Sequence, residues 1–321
     1  MDAGTNSTQV SLRWLEFMNR STATIAVETS ILLLIGLIAI GGNFLVVISI
    51  YRNPSLRTIT NYLVLSLAMT DIVHLLLAMP LTIVASAQSR FDFNPHMCDF
   101  QAISVISLIY ITVINMVLMA VNRFVRVCKP EKYQKLFNKK TSSIMIVIAW
   151  MTTFIGTTVY NKLSNSVSNA VFFPEQMRCN FVYDPNKQLF VVLGNVLIIA
   201  CLLTPFIIIT YCYYKVFKKI KQHKRGIADS TSTNSNGLGT SVREIKITWT
   251  LFAVLLGYCV TWIPALLVTI ITNIFGWSFL SRQVHLIVTF AGVSSSALNP
   301  VIYGLMNPSF RGEYAKIFGC K

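Results

Sequence analysis

The sequence predicts an all-α membrane protein: a seven-transmembrane helix bundle followed by a short amphipathic eighth helix. Three observations carry this. First, 54% of the 321 residues are hydrophobic and only 12% are charged, whereas a soluble domain carries about 25% charged residues to cover its surface. Second, seven apolar runs, roughly 28–51, 59–87, 97–121, 142–160, 188–214, 247–273 and 284–306, are each long enough to cross a ~30 Å hydrocarbon core as a helix. None of them contains a Lys or an Arg. Third, the 27 Lys and Arg residues divide unevenly between the connecting segments, seven in one alternate set and twenty in the other.

That asymmetry sets the topology. The richer set is 52–58, 122–141, 215–246 and 307–321, and a positive-inside bias places it in the cytoplasm and the N-terminus outside, at the plasma membrane. The formal charge of +15 is then a topology signal and a contact with anionic lipids, not a nucleic-acid footprint. Residues 1–27 form the outer tail. They hold two N-glycosylation sequons, at Asn6 and Asn19, and lack the basic patch and apolar core of a cleavable signal, so the first span is expected to direct insertion. Residues 28–306 form the bundle, with 226–241 a Gly/Ser/Thr/Asn linker inside it. Residues 307–321 form the eighth helix and tail, where Phe310, Tyr314, Ile317 and Phe318 share one face and Cys320 is a palmitoylation site by position.

Polar groups inside spans are expensive in lipid, so each marks a site. Asp71 is the only acid well inside a span. Around it the helices bring Asn43, Thr112, Ser295, Ser296 and Asn299, a set of oxygen donors suited to a monovalent cation such as Na⁺ or to a proton. Pro80, Pro205, Pro264 and Pro300 each remove a backbone hydrogen bond from a span, giving kinks within the bundle. Cys98 at the outer mouth of the third span and Cys179 in the 161–187 outer loop both face an oxidising compartment, where a bridge would tie loop to helix. His74, His96, His223 and His285 are scattered and form no metal-spaced group, and no Ser/His/Asp arrangement appears, so an enzyme is the weakest class. An ion-coupled transporter using Asp71 remains open, although it calls for paired acids along a path and only one is present.

The ordered motifs resemble those of the rhodopsin-like (class A) G-protein-coupled receptors. Gly42-Asn43 with Val46 matches the first helix, and Asn61 to Leu65, Leu67-Ala68 and Asp71 match the second. Asn122-Arg123-Phe124 stands where the family has its acid-Arg-Tyr triplet, and Trp150 matches the fourth helix. Pro205 with Tyr213, Trp262 with Pro264, and Asn299-Pro300-Val301-Ile302-Tyr303 match the fifth to seventh, and Phe310 the eighth. The resemblance spans about 30 to 318. Within it, Asn122-Arg123-Phe124 with Val127-Cys128 and Tyr133, and Ile302 to Asn307 followed by Phe310-Arg311, are similar to segments of melatonin receptors.

The resemblance implies roles. Arg123 pairs with an acid at rest. Asn122 replaces the adjacent acid, leaving Glu244 as partner, one lock instead of two and hence raised basal signalling. Trp262 is the expected rotamer switch, with Tyr258 one turn below it, and Tyr213 and Tyr303 swing toward Arg123 on activation. The partner implied is a heterotrimeric G protein, Gi/o by the melatonin-like segments. The expected ligand pocket is Val105, Ile109, Leu197, Cys201, Trp262, Ala265, Leu266, Thr269 and Thr289, with Phe181 stacking on the ligand and Tyr183 where melatonin receptors carry Gln. That lining is apolar with a few hydroxyls and favours a small, uncharged, lipophilic ligand. Val105 occupies the position of the carboxylate that holds amines, which disfavours monoamines. Val293 falls where opsins carry their retinal Lys, so a retinal Schiff base is excluded there. A non-photosensitive opsin relative and a peptide or lipid receptor remain as alternatives.

Overall fold

The computed structural model describes residues 12–164, 170–181, 188–229, 235–276 and 279–319, without the side chains at 164, 188–191, 193–202, 223–229, 235–243 and 273. A short helix α1 (12–18) precedes α2 (Thr22–Arg52), α3 (Ile59–Leu77), α4 (Met79–Gln88), α5 (Pro95–Cys128), α6 (Pro130–Leu136), α7 (Lys139–Ser164), α8 (Gln188–Asp229), α9 (Ser235–Phe275), α10 (Arg282–Met306) and α11 (Pro308–Ile317). Between α7 and α8 lies an antiparallel hairpin of β1 (Val171–Phe173) and β2 (Arg178–Asn180). Six stretches among the described residues are long and apolar enough to cross a membrane: α2, α3 with α4, α5, α7, the 244–272 part of α9, and α10. The run 188–214 lies in α8. This is the seven-helix bundle expected, with α11 as the eighth helix.

Local chemistry sets the ends. Ser21, Thr58, Asn94 and Asn307 each cap a helix by accepting a hydrogen bond from a first-turn backbone N–H. Pro95, Pro130 and Pro308 open their helices, where a missing N–H costs nothing. The second span is one apolar run in sequence but two helices in space, because Pro80 cannot donate to the carbonyl four residues back. At the inner side of the linker, α8 and α9 run on into 226–241, expected to be flexible. The Lys-rich stretch after Tyr214 contains good helix formers and no breaker until Gly226.

Exposure is inverted relative to a soluble protein. Leu37 on α2 and Val260 on α9 are 67% and 71% exposed, as lipid-facing positions require, while Asn43, Asn115 and Asn122 are fully buried. Gly42 permits the closest helix approach. A Cβ there would sit 2.5 Å from Pro300 Cγ, so α2 and α10 meet backbone to ring.

The described part of the outer tail is built into the fold. α1 packs onto the hairpin: Phe17 is fully buried, and Trp14, Phe17 and Phe91 all lie against Phe172 on β1. The first helix begins at Thr22, and Asn19 is exposed in the turn before it. Asn6 and Cys320 lie outside the described residues.

Candidate functional site

At the hairpin end of the bundle, α3, α4, α5, α9, α10 and β2 enclose a cavity with about 660 Å³ of unfilled space, its opening included. Of the residues expected to form a pocket, Val105, Ile109, Trp262 and Thr289 line it. Val105 and Ile109 share one face of α5, four residues apart. Trp262 stacks on Tyr258 with ring centroids 5.6 Å apart. The Thr289 hydroxyl donates to the Gln176 carbonyl and so ties α10 to the hairpin turn. Val293, at the opsin Lys position, also lines the space.

The remaining expected residues fall elsewhere. Ala265 and Val268 pack on Val288 and close α9 against α10 beyond Trp262. Leu266 and Thr269 are therefore off the lining, and the Thr269 hydroxyl turns back to the Ala265 carbonyl at 2.9 Å. Phe181 packs in the cluster that contains Cys98 and Cys179 rather than on the cavity. Tyr183 lies outside the described residues, as do the side chains of Leu197 and Cys201.

Two basic residues not expected in a ligand pocket line the cavity, His74 on α3 and Arg178 on β2. The bridge Cys98–Cys179 is formed, closing a sequence separation of 81. Strand alternation then turns Arg178 to the face opposite Cys179. Its Nε donates to Gln176 Oε1 at 3.0 Å. No carboxylate pairs with it among the described residues, and burial pushes the guanidinium pKa down to about 10.

At the inner end of the cavity is the Asp71 node. Ser296 Oγ donates to one carboxylate oxygen at 2.8 Å and Asn299 Nδ2 to the other at 2.9 Å. Thr112 and Ser295 line the adjoining space, although the Ser295 hydroxyl is committed to the Gly292 carbonyl. Asn43 does not reach Asp71. Its Nδ2 donates to the carbonyls of Ala39 and Ser296, holding α2 to α10. Each Asp71 oxygen keeps a lone pair, so the donor set fits a small cation.

Above the cavity, Glu28 on α2 is buried between two arginines. Arg282 grips both its oxygens at 2.7 Å, and Arg20 Nη1 lies 2.5 Å from Oε2. Arg20 also donates to the Ser86 carbonyl and the Ser89 hydroxyl. Burial lowers the Arg20 pKa, and Glu28 opposes that shift. The Met177 sulfur contacts both arginines. Tail, first helix, hairpin and α10 thus close on one carboxylate.

At the opposite end, Arg123 on α5 is bound to Glu244 on α9, Nη1 to Oε2 at 2.9 Å. Arg126 takes the other carboxylate oxygen at 3.2 Å. Asn122 is not idle where the family acid is missing. Its Oδ1 accepts from Arg123 Nη2 at 3.1 Å and from the Thr60 hydroxyl at 3.0 Å, and Thr60 itself accepts from Arg123. Where the adjacent acid is missing, Asn122 and Thr60 thus hold Arg123 by hydrogen bonds, and Thr60 was not foreseen in this contact. Tyr213 packs on Phe217 and Phe252. Tyr303 stacks on Phe310 at 5.5 Å. Pro264 lies within α9 and Pro300 within α10.

Known proteins agree with this layout. The human (Homo sapiens) histamine H2 receptor is 26% identical over 302 residues, 94% of this chain and 82% of its own length. The melatonin receptor type 1B-B of Danio rerio is 26% identical over 318 residues, 98% of this chain and 88% of its own. The octopamine receptor beta-2R of Chilo suppressalis is also 26% identical, over 329 residues, 94% of this chain and 81% of its own. Squid rhodopsin superposes with a TM-score of 0.80 at 17% identity, covering 96% of this chain and 89% of that one, a likeness of fold. The family described as 7 transmembrane receptor (rhodopsin family) matches residues 42–303. With the ordered helices, the Cys98–Cys179 bridge and the Arg123 lock in place, the chain belongs to the rhodopsin family of seven-transmembrane receptors.

Proposed function

We propose that this receptor sits in the plasma membrane with its N-terminus outside, senses a small molecule in the cavity beneath the hairpin, and activates a heterotrimeric G protein of the Gi/o class. The observation that carries this is the Arg123–Glu244 pair across α5 and α9. It lies at the opposite end from the cavity, and moving one helix from the other breaks it. Basic residues flank it on α6 and α8 (Lys132, Lys135, Lys218, Lys219), a field suited to an acidic partner surface and to anionic lipid. The Gi/o assignment rests on the melatonin-like segments around Arg123 and Tyr303. The amines named in the histamine and octopamine relatives are disfavoured here, since Val105 supplies no carboxylate.

The test is cAMP in cells expressing the chain, with and without forskolin, against an Arg123→Ala control. A ligand-independent fall in forskolin-raised cAMP that vanishes in Arg123→Ala supports inhibitory coupling. A fall that persists in Arg123→Ala refutes the assigned mechanism. The Asp71 node is proposed to hold Na⁺ at rest, using Asp71, Ser296 and Asn299, so added Na⁺ lowers basal exchange in the wild type and not in Asp71→Asn.

A further inference from the structure

We infer that the cavity takes a small organic anion, a carboxylate carried on an apolar body, and that Arg178 is the residue that holds it. The inference deepens the receptor reading, since it takes the same cavity as the ligand site. It replaces the uncharged ligand expected from an apolar lining that did not include β2.

The other inward-facing arginines of this protein are matched by carboxylates. Arg20 and Arg282 share Glu28, and Arg123 has Glu244. Arg178 is turned inward without such a partner. A guanidinium has five N–H donors, and only Nε is engaged, by a neutral amide. Arg178 is half-buried, and removing even part of a cation from water without a matching anion is unfavourable, so the chain maintains here a charge that folding alone does not call for.

Its surroundings point to the same ligand. His74 lines the same cavity, and among the described residues its ring makes no hydrogen bond, leaving a second donor free. The one carboxylate on the lining among the described residues, Asp71, is already engaged by Ser296 and Asn299 at the far end. At the near end the clasp sets two cations against one Glu28, and Glu175 on the hairpin turn is matched by Arg13. Between these ends the walls are Val105, Ile109, Val288 and Trp262, which suit a flat or branched apolar body. A planar carboxylate matches the guanidinium fork in two parallel bonds.

The experiment uses the full chain in lipid nanodiscs and reads the melting temperature with sodium phenylacetate, sodium acetate or neutral phenylacetamide, each at about 10 mM, a concentration at which even weak site binding registers. The expected result is a rise of about 2–4 °C with phenylacetate and little with acetate or the amide. The rise shrinks in Arg178→Lys and disappears in Arg178→Gln. Without any additive, Arg178→Gln melts no lower than the wild type, because the substitution removes an unmatched charge; a structural role for Arg178 predicts a fall. No acid-specific rise, an equal rise with the amide or with bare acetate, or a rise retained in Arg178→Gln overturns the inference. Basal nucleotide exchange is measured on the same preparations. Exchange present without an acid-specific rise strikes only this inference, and exchange absent strikes the receptor reading.

Discussion

Replacing Glu244 with Gln keeps the side chain's volume and one acceptor oxygen but removes the charge that binds Arg123. The geometry bounds the effect. Arg123 is 3% exposed, while Glu244 is 26% exposed and shares itself with Arg126. A fully buried pair broken from one side costs about 3–5 kcal/mol. Solvent at Glu244 brings this down toward the low end for a charge-assisted bond, about 1.5 kcal/mol. Arg123 also keeps its bonds to Asn122 and Thr60, so the resting state is weakened and not abolished. A loss of about 1.4 kcal/mol is tenfold in the ratio of resting to active receptor. A ligand-free receptor about 1% active therefore becomes about 10% active. The assay is the initial rate of guanine-nucleotide exchange on Gi in nanodiscs, without ligand and at matched receptor number. Arg126→Gln, which loses only the longer and more exposed contact, is expected to stay within about twofold of wild type. If Glu244→Gln also stays within twofold while Arg123→Ala is silent, the pair is not a lock and the argument fails.

Further outcomes follow from other parts of the structure. Gly42→Ala drives a methyl into the Pro300 ring and costs about 1–3 kcal/mol of overpacking, seen as a lower melting temperature, with no comparable loss in Gly41→Ala, where the space is open. Cys98→Ser or Cys179→Ser opens the bridge between α5 and β2 and costs about 2–5 kcal/mol, so surface expression falls and Arg178 loses its fixed place on the lining. Phe17→Ala removes the fully buried anchor of α1, a loss of about 3–5 kcal/mol in a well-packed site; amide hydrogen exchange across 12–20 should rise while the Arg123 end stays protected. Asn122→Ala deletes the neutral hydrogen bond to Arg123 and raises basal exchange, and Glu244→Gln on top of it raises exchange further.

The spans were legible because lipid enforces a simple rule: no Lys or Arg within seven runs, and excess cations on one side. Arg123 and Glu244 were legible through the resemblance carried by Asn122-Arg123-Phe124, and the two bridging cysteines because both face an oxidising side. Asp71 was visible because an acid inside a span is rare, although Asn43 turned out to bond backbone carbonyls instead of the carboxylate. The packing of the tail was not legible because 1–27 is polar on average, and Trp14 and Phe17 are too few to give a period; what packs them is Phe172, more than 150 residues away in the chain. Arg178 was missed because an arginine in an outer loop reads as solvated. One signal was available, since Cys179 fixes its own face of the strand and its neighbour must take the other. Leu266 and Thr269 were placed by counting along a helix, and counting does not show where neighbouring side chains close the space. Thr60 gave no signal, because a hydroxyl near the end of a span is ordinary.

The roof over the cavity has two layers, the hairpin and then α1, clasped together through Glu28. The cavity keeps an opening, and wherever that opening is narrower than the ligand, entry and exit both require the roof to part. Observed association should therefore level off at high ligand concentration at a ceiling fixed by the roof's own opening rate. Substitutions at Phe17 or Glu28 would raise that ceiling and shorten residence in equal proportion, leaving affinity almost unchanged. How long a signal lasts after its stimulus disappears would then be written in the tail of the protein, outside the helices that recognise the ligand.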